Sequence, residues 1–139
     1  MTLTLSARRS AYHEIATVAS GAGALLAEEE RRHFESLDLL YRSLCALMYN
    51  YVPLSGHPGG SISAGRFMAL LLFDHMEYDL SQPQRDDADL ISFGAGHKAM
   101  GLYALWALRD EIARLAAPDL LPADTRFRLR LEDLLGFRR

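Results

Sequence analysis

Imidazole, thiol and carboxylate groups are the side chains through which a small chain moves protons, attacks carbon or holds a metal. This sequence supplies five histidines, one cysteine and eighteen acidic residues. The histidines separate into two groups. His13, His33 and His75 lie in helical stretches beside Glu14, Glu35, Asp74 and Glu77, where an exposed or locally hydrogen-bonded ring is expected, and they are assigned no function. His57 and His97 each stand in a glycine loop directly ahead of a helix, within Leu54-Ser55-Gly56-His57-Pro58-Gly59-Gly60-Ser61 and Gly94-Ala95-Gly96-His97. Their separation, 97 − 57 = 40 residues, leaves room for one crossover that brings both loops to the same side of a sheet.

Three chemistries can be weighed for these loops. Zinc requires three or four ligands at characteristic spacing, and the sequence offers no His-x-x-x-His pair, no cysteine pair and no Glu in either loop. A nucleophilic triad can be assembled on paper from Ser55 or Ser61, His57 and the Asp86, Asp87, Asp89 cluster. No nucleophile elbow accompanies it, however, and those aspartates read as a solvated turn. Cys45 sits in an apolar helical pattern, the setting of an inert core thiol. There remains imidazole acting as hydrogen-bond donor or acid/base beside a phosphate-bearing ligand held by backbone amides.

The elements around the loops are built to present such amides. From Ser36, Leu37, Leu40, Tyr41, Leu44, Cys45, Leu47 and Met48 recur at three and four, which predicts a helix with one buried side ending near Asn50 and Pro53. Three glycines and a proline within residues 56–60 exclude regular structure there, and a second apolar helix is expected from Ser63 to Met76. Residues 79–89 form a polar connection. Leu90-Ile91-Ser92-Phe93, bounded by a glycine loop, predicts a short buried strand. A third helix follows through Leu102, Leu105, Trp106, Ile112 and Leu115, and a short one near Leu131 to Leu135. Strand, glycine loop and helix in that order aim free N–H groups and a partial positive charge at whatever lies above the strand, which suits phosphate. The same Gly-Ala-Gly-His pattern also fits a tight turn whose glycines only allow close helix packing, and the residues alone leave both readings open. Residues 6–32, rich in Ala, Glu and Arg and interrupted by Gly21 and Gly23, read as one or two helices ending in a solvated charged run.

Composition narrows the classes of function. With 139 residues and 50% hydrophobic content the chain can bury a core of its own. Its net charge of −3 argues against a nucleic-acid stripe or a basic membrane-surface helix. Fourteen of the fifteen basic residues are arginine, and Lys98 is the single lysine. No apolar run approaches the roughly 20 residues of a membrane span. Arg8 and Arg9 are followed too soon by His13 and Glu14 for a cleaved export signal. A lone cysteine fits a reducing, cytoplasmic setting.

Taken together, Ser55-Gly56-His57-Pro58-Gly59-Gly60, the acidic turn Arg85-Asp86-Asp87-Ala88-Asp89, and Leu90-Ile91-Ser92-Phe93-Gly94-Ala95-Gly96-His97 resemble the N-terminal pyrophosphate-binding domain of transketolases. The order and the separation of the two histidines match as well. The likeness runs from about Ser36 to the end, where Leu131-Glu132-Asp133-Leu134-Leu135-Gly136-Phe137-Arg138-Arg139 is similar to the family's run of leucine, small turn, phenylalanine and arginine. Residues 1–35 are accordingly read as a helical N-terminal extension. Residues 36–139 are read as the N-terminal part of an incomplete pyrophosphate-binding domain.

The resemblance implies an α/β thiamine diphosphate-binding fold, of which this chain is a mostly helical N-terminal portion with about one or two short parallel strands. It implies that His57 is catalytic, contacting a sugar substrate near the reacting carbon and assisting proton transfer. It implies that His97 hydrogen-bonds the diphosphate of thiamine diphosphate, with Gly94 and Gly96 allowing close backbone approach. The family's Mg2+ ligands, a Gly-Asp-Gly segment and a downstream Asn, are not in this chain, so no metal ligand is assigned here. Lys98 replaces the family's usual small residue, either adding charge toward the diphosphate or pointing to solvent. The activity implied is transfer of a two-carbon ketol unit between phosphorylated sugars by a larger, homo-oligomeric enzyme. This chain would be an N-terminal segment, inactive alone, working with the remainder of the enzyme or a second subunit. The alternatives are an E1-like component of a 2-oxo-acid dehydrogenase and a non-catalytic helical assembly module.

Overall fold

The structure is a computed structural model that describes residues 27–52 and 57–137. Expectations that fall on His13, on the helices before residue 27, and on Ser55 and Gly56 lie outside the described residues.

Among the described residues four α-helices carry the fold: α1 (Glu28–Tyr51), α2 (Gly59–Leu70), α3 (Ala99–Ala116) and α4 (Leu131–Leu135). The first begins eight residues earlier than the apolar stripe predicts, and the cause is electrostatic. Glu28, Glu29 and Glu30 occupy its first turn, where carboxylates complement the positive end of the helix dipole. Glu30 Oε2 accepts the Ala27 N–H at 2.9 Å, and Arg31 reaches back to Glu28 and forward to Glu35. The helix therefore runs unbroken through Glu35 and Ser36. It ends at Tyr51, with Val52, the residue ahead of Pro53, as its extended C-cap.

The second helix also starts early. Pro58, at φ −67° and ψ −26°, already holds the helical backbone, and its carbonyl accepts the Ile62 N–H at 2.9 Å. Gly59 and Gly60, expected to exclude regular structure, thus form the first turn of α2. The helix widens into a π-turn over Leu71–His75, which closes when the Met76 N–H bonds the Leu71 carbonyl at 2.8 Å. Residues 79–89 are a run of turns, as their polar composition predicts.

Leu90–Phe93 is not a strand. Among the described residues no β-ladder forms, so the expectation of one or two short parallel strands is corrected to an all-helical arrangement. The reason is that a strand needs a neighbour to bond its backbone, and no other described segment supplies one. Ile91 and Phe93 pack onto the core while Leu90 is 95% exposed, so the segment keeps an alternating burial pattern without a sheet.

The core lies between α1, α2 and α3, with Leu134 of α4 closing one side. Tyr41, Cys45, Met48 and Val52 from α1 meet Met68, Ala69 and Leu72, and then Met100, Leu102, Ala104, Leu105 and Leu108. Burying each large side chain contributes about 1.5–3 kcal/mol. Tyr41 is central. A Cβ on Gly65 would lie 2.1 Å from its ring, and a Cβ on Gly101 would lie 2.3 Å from its hydroxyl oxygen. Both glycines are therefore the holes into which one tyrosine fits. Asp38 adds a polar tie, its Oδ2 bridging Arg42 of α1 and Arg66 of α2 at 3.0 Å each.

Candidate functional site

The two histidine loops meet at the entrances to α2 and α3, and the contact is made by their flanking residues. His57 precedes α2, while His97 lies in a 3-10 turn, Gly96–Lys98, that runs straight into α3. Both imidazoles are exposed. Between them Ser61, only 1% exposed in the first turn of α2, directs its Oγ–H to the Lys98 carbonyl at 3.3 Å. From α1 the Tyr49 hydroxyl lies 3.2 Å from Ser61 Oγ and 3.4 Å from the His97 carbonyl. Each hydroxyl has one proton, so two protons serve three contacts, all at the long end of hydrogen-bond range. Tyr41 anchors this group from below by donating to the Ser61 carbonyl at 2.5 Å.

Packing closes the same junction. The methylene stem of Lys98 lies over Gly60, where an added Cβ would stand 3.2 Å from Cγ and Cε. Gly60 therefore admits Lys98, which stays exposed at its end. Gly94 and Gly96 differ: a Cβ on either would meet nothing within 4 Å, so neither is required for packing.

The electrostatic character of the junction is cationic. No acidic residue lies in the first turn of α2 or of α3, and neither N-terminus is capped by a side chain. In α1, by contrast, three glutamates occupy the first turn. Two helix entrances without side-chain caps thus stand beside His57, His97 and Lys98, an arrangement suited to an anion with more than one charged group. Among the described residues no three His, Cys, Asp or Glu side chains converge as a metal cage. Beneath the junction burial pushes the Cys45 thiol up and the Tyr41 hydroxyl well above its ordinary value, so both stay protonated. For Asp38 burial acts upward, but Arg42 and Arg66 outweigh it and hold the carboxyl below the usual range.

The triad weighed from the sequence is not assembled. Ser61 is committed to the Lys98 carbonyl, Asp87 pairs with Arg85 at 2.6 Å, and Asp89 accepts the Glu77 N–H at 2.9 Å. His33 is exposed on α1, and His75 pairs with Asp74 at 2.9 Å on the surface. A groove of about 490 Å³ opens elsewhere, lined in part by Tyr78, Tyr103, Trp106 and Phe127 and containing neither loop histidine. Its cations are already engaged: Arg109 with Asp110, Arg85 with Asp87, Arg126 with Asp124, and Arg128 with the Pro122 carbonyl.

Tyr41 and Tyr49 were not legible as parts of this site, and Ser61 was visible only as a candidate nucleophile. The available signal was the pair Gly65 and Gly101 inside apolar helical patterns, since a helix-interior glycine marks close approach by a bulky neighbour.

Comparison with known proteins agrees with the resemblance carried by the loops. Over 67 residues, 48% of this chain, it is 37% identical to transketolase-like protein 2 of Bos taurus and 40% identical to transketolase of Homo sapiens. Over 53 residues, 38% of the chain, it is 42% identical to transketolase of Mus musculus. These regions amount to 10%, 10% and 8% of the relatives, so the chain spans about a tenth of their length. The chain thus has a partial transketolase relationship, over about half its residues. No family model matches it. No solved structure matches it either. Among the described residues no helix is long and apolar enough to cross a membrane.

Proposed function

We propose that the chain is a diphosphate-binding segment of a transketolase-like, thiamine diphosphate-dependent transferase that moves a two-carbon ketol unit between phosphorylated sugars. The observation that carries this reading is the meeting of the two histidine loops at two helix entrances free of acidic residues, one of them covered by Lys98. The donors fit a diphosphate. Backbone N–H groups at Gly59 and Gly60, in the first turn of α2, offer the close approach that phosphoryl oxygens need, and His97 and Lys98 add charge-assisted bonds.

Thiamine diphosphate, when bound, supplies the carbanion-stabilising chemistry of carbon–carbon cleavage. The chain's own residues bind and orient. His97, with Gly94 and Gly96 beside it, holds the diphosphate, while His57, on a backbone stiffened by Pro58, exchanges a proton with a substrate hydroxyl or carbonyl oxygen. Mg2+ and its ligands belong, in this reading, to the remainder of the enzyme or a second subunit in the cytoplasm. The apolar ridge of Leu40, Leu47 and Tyr51, each about half exposed on one side of α1, supports an oligomer that covers it. No observation favours the 2-oxo-acid dehydrogenase component or the non-catalytic module.

Steady-state rates against cofactor concentration, measured on the complete polypeptide that carries this segment, test the division of roles. His57→Ala should lower turnover about 10²- to 10⁴-fold with cofactor affinity unchanged. His97→Ala should raise the cofactor concentration for half activity about tenfold or more, with turnover largely recovered at saturation. One shared phenotype for the two variants would remove the division.

A further inference from the structure

We infer that Tyr49 and Ser61 are positioning residues that lock the Gly96–Lys98 turn onto the first turn of α2, and this rests on the diphosphate reading above. A diphosphate presents two phosphoryl groups at a fixed spacing, so two separate donor sets grip it only when their own spacing is fixed. Packing of α2 on α3 brings the two entrances together, but it does not hold the turn ahead of α3. The loops belong to segments 37 residues apart, and no sheet joins them among the described residues. The Gly96–Lys98 turn is held internally by short-range bonds alone, Lys98 N–H to the Ala95 carbonyl at 2.9 Å and Ala99 N–H to the Gly96 carbonyl.

What ties the turn to α2 is the hydroxyl pair. Ser61 reaches the Lys98 carbonyl, Tyr49 reaches the His97 carbonyl, and the two hydroxyls touch each other. Consecutive carbonyls of the turn are thereby engaged from α2 and α1, while His97 itself stays exposed. Ser61 is itself set in place by the Tyr41 hydroxyl on its carbonyl and by Gly101 beside its Cβ. The Lys98 stem on Gly60 adds an apolar contact across the same junction. Tyr49 and Ser61 need not touch a ligand to do this: they act through His97 and Lys98.

Amide hydrogen exchange of the full chain, without ligand, reads the lock directly. Tyr49→Phe keeps the ring and removes the hydroxyl. It should speed exchange at the Lys98 and Ala99 amides about tenfold, the size of a lost hydrogen bond, and leave the Leu105 and Ala107 amides of α3 unchanged. Ser61→Ala should do the same, and the double variant should add little to either, because the two hydroxyls form one unit. In parallel, the wild-type chain titrated with inorganic pyrophosphate should show amide shifts at Gly60 and Gly96 together, and Tyr49→Phe should weaken the Gly96 response. Exchange at Lys98 and Ala99 that is unmoved in both variants, or that rises equally throughout α3, overturns the lock. A wild-type chain in which pyrophosphate moves neither loop overturns the diphosphate reading and with it the positioning role, a failure separable from the first.

Discussion

At the scale of the residue, the glycines divide into two kinds that the sequence does not distinguish. Gly65 and Gly101 are spaces filled by Tyr41, with virtual Cβ contacts of 2.1 Å to the ring and 2.3 Å to the hydroxyl oxygen of a side chain that is itself locked in the core. A methyl group there forces rigid atoms apart, and overpacking of this sort costs about 1–3 kcal/mol or more. Gly94 and Gly96 face open space. Alanine at either should change stability by no more than about 0.5 kcal/mol, the usual limit for surface substitutions. Urea unfolding should therefore show clear midpoint losses for Gly65→Ala and Gly101→Ala, and nearly unchanged midpoints for Gly94→Ala and Gly96→Ala. A large loss for Gly96→Ala would mean that the loop glycines serve packing rather than ligand approach. Lys98 shows the same interplay, since its place over Gly60 depends on the absence of a side chain at that position.

At the scale of the element, α1 carries the groups that make the fold sensitive to pH. Burial raises Cys45 and Tyr41 above their ordinary values of 9.0 and 10.0. A group whose folded value is raised contributes stability in full below its unfolded value and loses it as pH climbs beyond, because the unfolded chain then releases the proton first. The denaturation midpoint should thus be level from pH 7 to about 8.5 and fall between about 9 and 11. In Cys45→Ala the fall should begin about one unit later, in the range set by Tyr41. A midpoint that stays constant to pH 11 would contradict the burial of both groups. Much of this element was legible: the period of three and four from Leu37 to Met48 identifies the helix and the buried Tyr41, Cys45 and Met48. The period could not tell that Leu40 and Leu47 stay 54% and 49% exposed, because only contact with a partner separates an apolar ridge that is covered from one that is not. The starts of α1 and α2 depart from the apolar pattern because end effects outweigh it there, through three glutamates in one case and Pro58 in the other. Leu90–Phe93 had the composition of a strand, but pairing is a property of two segments and cannot be read from one.

At the scale of the whole molecule, three helices converge so that two loops 40 residues apart in sequence share one cationic junction, and the sequence showed the loops without showing what joins them. The chain's likeness to transketolases rests on that pairing of loops and, separately, on identities of 37–42% over part of the chain. The central claim is that this junction recognises a diphosphate, with His97 as a ligand and His57 not. It is tested most directly by following the backbone amide resonances of the chain and of its His57→Ala and His97→Ala variants as inorganic pyrophosphate is added. With a few charge-assisted bonds and no metal cage among the described residues, binding should be in the millimolar range. The shifts should centre on Gly59, Gly60, Gly96 and the first turn of α3. His97→Ala should weaken binding about tenfold, as expected for one lost charge-assisted bond, while His57→Ala leaves it unchanged. Shifts scattered over the arginines around Tyr78 and Phe127, or equal losses in the two histidine variants, would contradict the claim.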